Sequence, residues 1–115
     1  MTKEMGVLET HLVEMGERDF IPEETMKLLT YSSNLFTFVS WNVKKIIVVG
    51  KCEDGYVKGM ILMVKTPRYK GMVLITLSFM DYYEVRLLDD GYNVTHVHKD
   101  IFIGDLVPII NDLIS

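Results

Sequence analysis

The chain has one cysteine, Cys52, so it cannot form an internal disulfide, and a reducing compartment is its expected home. No apolar run approaches the length of a membrane span. The opening residues, Met1-Thr2-Lys3-Glu4-Met5-Gly6, lack the apolar centre of a signal peptide. A cytoplasmic location with no membrane partner is therefore expected. On that footing the sequon Asn93-Val94-Thr95 carries no meaning. Gly50, Gly55, Gly59 and Gly71 stand alone, and none fits a phosphate-cradling or dinucleotide loop. Neither the nucleophile-elbow motif nor the paired-histidine zinc motif is present. These gaps leave no catalytic constellation, and the expectation is a chain with no cofactor that is not an enzyme.

What is present describes a globular chain. The 115 residues suit one domain and leave no room for two. Apolar residues make up 49% and charged residues 24%. The mean hydropathy of +0.19 supplies ample core and leaves apolar surface over for a partner. The net charge of -4 counts against nucleic acid as the main partner, because phosphate needs a positive face. That charge is unevenly spread. Residues 1–42 hold three basic and seven acidic side chains, residues 43–70 seven basic and two acidic, and residues 71–115 two basic and seven acidic.

Residues 1–20 read as a semi-independent amphipathic helix. Met5, Leu8, Leu12 and Met15 recur along one narrow stripe, and Gly16 ends it. Pro22 opens a second helix, with Glu23 and Glu24 in its first turn, where the helix dipole favours them. Leu35 to Val43, rich in aromatic and β-branched residues, predicts a strand, and Ile46–Val49 and Met60–Val64 predict two more. Asp54-Gly55 signals a tight hairpin that sets Lys51 opposite Lys58.

Alternation fixes the next pairings. A loop at Met80-Asp81-Tyr82 sets Phe79 opposite Tyr83, Leu77 opposite Val85 and Ile75 opposite Leu87, so the apolar positions share one face. A turn at Asp90-Gly91 sets Leu87 opposite Val94, Val85 opposite His96 and Tyr83 opposite His98. Asp105 to Ser115 predicts a last helix, with Asp105 as its cap and Leu106, Ile109, Ile110 and Leu113 as an apolar stripe. That stripe needs the face of Ile75, Leu77, Val85 and Leu87. The expected architecture is α+β. It comprises an antiparallel β-meander of about five to six strands, with two N-terminal helices and one C-terminal helix packed on one face.

The stretch from Val73 to Val85, VLITLSFMDYYEV, resembles a hairpin found in small bacterial α+β proteins of unknown function encoded in prophages and mobile elements. The resemblance covers roughly Met26 to Ser115. It implies an α+β fold and no known activity, and it adds no catalytic residue.

Three functional readings follow. The first is a cytoplasmic accessory or protein-interaction module, self-associating or binding a protein partner through Met5, Leu8, Leu12 and Met15, where methionine makes an adaptable face. The second is a single-stranded nucleic-acid binder using Trp41, Lys44, Lys45, Lys58, Arg68 and Lys70, a basic set with an aromatic to stack a base. Nucleic acid is the less favoured partner, because lysines on a solvated edge strand also serve to block aggregation. The third is a small ligand or metal site at His96 and His98. Two residues apart on a strand, they point the same way but lack a third ligand.

Overall fold

A computed structural model describes residues 12–51 and 54–115. The element order is α1 (Pro22–Leu29), α2 (Leu35–Ser40), β1 (Lys45–Val49), β2 (Gly59–Lys65), β3 (Lys70–Leu77), β4 (Tyr83–Leu88), β5 (Val94–Ile101), a 3-10 turn (Ile103–Asp105) and α3 (Leu106–Ile114). The five strands form one sheet in the order β1-β2-β3-β4-β5, with every neighbouring pair antiparallel. The protein is therefore an α+β meander, with two helices before the sheet and one after it among the described residues.

The segment expected as the first strand is instead helix α2. A continuous apolar run does not by itself distinguish helix from strand. Burial decides it here. Asn34, Thr37, Phe38 and Trp41 turn inward with helical spacing, while Leu35, Phe36, Val39 and Ser40 face out. Trp41 is fully buried, and its ring meets that of Phe38 at 5.7 Å. The indole Nε1 donates to Asn111 Oδ1 at 3.0 Å, which ties α2 to α3.

One sheet face carries Met60, Leu62, Val64, Val73, Ile75, Leu77, Tyr83, Val85 and Leu87 in a single core with Leu106, Val107, Ile110 and Ile114 of α3. The predicted cover is thus in place. At the far end of α3, the Thr66 hydroxyl donates to the Ile114 carbonyl. Near its start, the Thr25 hydroxyl of α1 meets the Tyr83 hydroxyl at 2.8 Å.

The opposite face is covered too. Ile61, Met72, Leu74, Leu88 and Val49 form a second core with Leu12, and Val13 and Met15 pack against it. Gly16 allows this segment to cross the sheet end, since any Cβ there would collide with the Lys58 carbonyl. Strands buried on both sides lose the apolar-polar alternation of a half-exposed sheet. Runs such as Met60-Ile61-Leu62 and Met72-Val73-Leu74-Ile75 read that way.

Three registers differ from expectation. β1 and β2 pair Val49 with Gly59, so Lys51 does not face Lys58, and the connection is longer than a two-residue turn. β3 and β4 pair Leu77 with Tyr83, Ile75 with Val85 and Val73 with Leu87, two residues from the expected register. Ser78 N–H donates to the Tyr82 carbonyl, and Asp81 takes a left-handed φ of 66°. β4 and β5 pair Leu87 with His96 and Val85 with His98, with two irregularities along the ladder. Their turn runs from Asp89 to Asn93, with Tyr92 left-handed at φ 64°. Both turns thus use a three-residue loop whose last member is left-handed, normally a glycine position. Asp81 and Tyr92 occupy it instead, and so the sequence gives no glycine signal there. The two-residue slip of β3–β4 preserves side-chain parity, and the apolar face survives the error.

Candidate functional site

The N-terminal stripe does not present a free surface where it can be seen. Leu12 is buried and Met15 half-buried against the protein's own sheet. Met5 and Leu8 lie outside the described residues. The reason is that the second sheet face is itself apolar and requires a cover, which a sequence reading of one buried face did not demand.

The basic set divides in three. Trp41 is inside the core and offers no face to a base. Lys58, at one end of the sheet, pairs with Asp19 at 2.6 Å. Arg68 donates to the Ser115 carbonyl at 3.0 Å, at the end of α3. The remaining lysines converge. Lys65 and Lys70 are direct cross-strand partners, and Lys45 pairs with Met63, so all three project from the second sheet face. Beside them is a cleft of about 420 Å³ whose lining includes Lys44, Lys65, Lys70, Met63, Met72 and Asp90. None of its lining residues is aromatic. Lys65 belongs to the basic stretch and joins this group, although it lies outside the set that the sequence singles out. The Lys65–Lys70 opposition across the β2–β3 hairpin is the sequence signal that would have found it.

His96 and His98 are exposed on edge strand β5 and share the side of Leu87 and Val85. Among the described residues no group of three or more potential metal ligands comes together. Cys52 lies outside the described residues.

The buried ionisable groups are engaged with one another. Arg86 Nη1 lies 3.3 Å from Glu84 Oε1, and it also donates to Thr76 Oγ1 at 3.1 Å. Burial pushes the phenols of Tyr83 and Tyr69 above their usual range; the Tyr83 hydroxyl shares a hydrogen bond with that of Thr25, and the Tyr69 hydroxyl lies 3.1 Å from the Met72 and Leu88 carbonyls. Exposed Asp89 is held below the usual carboxylate range, because its oxygens accept the backbone N–H groups of Asn93 and Gly91 in the turn.

The largest departure from an ordinary surface is apolar. On α2, Leu35 and Val39 share one side, with Phe36 beside them and Tyr31 in the preceding turn. Phe36 is 90% exposed, Tyr31 66% and Val39 63%. Ile46 and Val48 of β1, which follows α2 directly, are exposed as well. A second apolar group, Phe79, Met80, Phe102 and Ile103, lies at the β3–β4 turn and the corner before α3. It is interspersed along the chain with Asp81, Asp100 and Asp105. No helix among the described residues is long and apolar enough to cross a membrane. No known family model, curated protein or solved structure matches the chain.

Proposed function

We propose that this chain is a non-enzymatic, cytoplasmic protein-interaction module whose contact surface is the α2 side of the molecule. The observation that carries the reading is the apolar group Tyr31, Leu35, Phe36 and Val39, left in water by a helix that buries none of its own six residues completely. Burying each such side chain at an interface is worth about 1.5–3 kcal/mol. Contiguous exposed apolar patches of this kind mark contact sites. The surface differs from the N-terminal stripe that the sequence suggested, but the class of function is the same. The nucleic-acid alternative is supported by the lysine cleft and weakened by the burial of Trp41.

The test compares the wild type with Phe36→Asp/Val39→Asp. Proteins enriched from a native extract by the wild type alone are identified, purified and titrated. The expected result is a purified partner whose affinity for the double variant falls at least tenfold, or about 1.4 kcal/mol. Equal affinity for both proteins, or no wild-type-specific partner together with a strict monomer in sedimentation, overturns the reading.

A further inference from the structure

The two sheet edges are built differently. β5 carries two irregularities in its pairing, a left-handed Asp100 at φ 57°, and a polar sequence containing His96, His98 and Lys99. Bulges and charges of this kind keep an edge from being paired. β1, at the other edge, is KIIVV, paired without interruption to β2 from Lys45 to Val49. It has no proline and no positive-φ residue within it. A regular strand at an edge offers a row of N–H and C=O groups that another strand can satisfy.

The two sides of β1 also differ. Ile46 and Val48 face the helix side, opposite Leu62 and Met60, and remain exposed. Lys45 faces the other side, where Lys65 and Lys70 also project and the lysine cleft opens at Lys44. Lys65 directly opposite Lys70 is an unfavourable like-charge pair that adds to the positive character of this side. Asp90 is the one carboxylate in the lining of the cleft.

We propose that β1 accepts an extended acidic segment of a partner protein, which adds as a sixth strand. Its residues alternate, with carboxylates on the Lys45 side, near Lys44 at the mouth of the cleft, and apolar side chains on the Ile46 and Val48 side. Backbone hydrogen bonds supply the affinity, and the two differing sides supply the selectivity. This rests on the interaction-module reading and names the chemistry of the partner. A second copy fits less well, because antiparallel pairing of β1 with itself brings Lys44 and Lys45 of one copy close to Lys51 of the other. A nucleic acid also fits less well, since the cleft has no aromatic lining and a base cannot continue the backbone ladder.

The experiment titrates isotopically labelled full-length protein with capped Glu-Val-Glu-Val-Glu-Val, following amide shifts and amide hydrogen exchange. The arms are capped Lys-Val-Lys-Val-Lys-Val, an oligothymidylate, and the Lys44→Glu/Lys45→Glu variant, whose changes are confined to exposed side chains. The expected result is saturable binding of the acidic peptide, with slowed exchange at the outward amides of β1. Affinity should fall at least tenfold in the variant and fall with added salt. Absence of binding overturns the proposal, as does equal binding of the lysine peptide. So does oligothymidylate binding at the lysines with β1 exchange unchanged and no response to the acidic peptide. Slowed β1 exchange that tracks protein concentration without peptide assigns the edge to a second copy and also overturns it. A partner held through Phe36 and Val39 while β1 amides stay unchanged removes the added strand and leaves the interaction module standing.

Discussion

At the residue scale, Glu84 and Arg86 are the least expected feature. Two residues apart on β4, they alternate with Tyr83, Val85 and Leu87, a pattern that on a one-sided sheet would point them to solvent. The second core covers that side, and both are buried with Thr76 between them. A buried ion pair is weak evidence for stability, but removing one partner strands the other. Arg86→Met alone is expected to cost about 3–5 kcal/mol in denaturant unfolding, and Glu84→Leu/Arg86→Met to recover most of that loss. Equal losses in the single and double variants would contradict the pairing. Tyr83 gives a pH test. Its phenol is pushed above 10.0 by burial, so the fold favours the protonated form. Its contribution is complete below the unfolded value of about 10 and is lost as pH rises through the folded value. Stability should therefore fall above pH 10. Tyr83→Phe should cost about 1 kcal/mol at neutral pH, because the Thr25 hydroxyl loses its partner, yet show a shallower alkaline decline. An unchanged alkaline slope would argue against the buried phenol.

At the element scale, the strands that alternate or run apolar were legible, as was the terminal helix with its stripe. Parity survived in β3–β4 although register did not, because a slip of two residues returns each side chain to its own face, whereas the one-residue shift of β1 on β2 reverses the expected facing. What escaped was decided by contacts distant in sequence. Leu35–Ser40 becomes a helix because Trp41 reaches Asn111, seventy positions further along. The turn lengths escaped because Asp81 and Tyr92 hold left-handed positions that glycine usually announces. The site was less legible than the fold. Lys44 and Lys70 do share a cleft, whereas Lys58 is drawn to Asp19 at the other sheet end and Trp41 into the core. Exposure on α2 could not be read at all while Phe36 and Val39 were assigned to a strand.

At the scale of the whole molecule, a sheet covered on both faces leaves few places for a partner. The apolar residues of the N-terminal segment that are described, Leu12 among them, go to the second core. Among the described residues, the apolar surface that remains lies mainly along α2 and β1 and around the β3–β4 turn. The proposed contact surface is therefore the α2–β1 side, next to the lysines of the positively charged middle stretch. Parallel thermal unfolding of Leu12→Asp and Phe36→Asp tests this division most directly. Leu12→Asp places a carboxylate in a core and is expected to lower Tm by roughly 10–20 °C, whereas Phe36→Asp should shift it by no more than about 2–4 °C. The opposite ranking, with Leu12→Asp tolerated and Phe36→Asp unfolding the protein, would contradict the account.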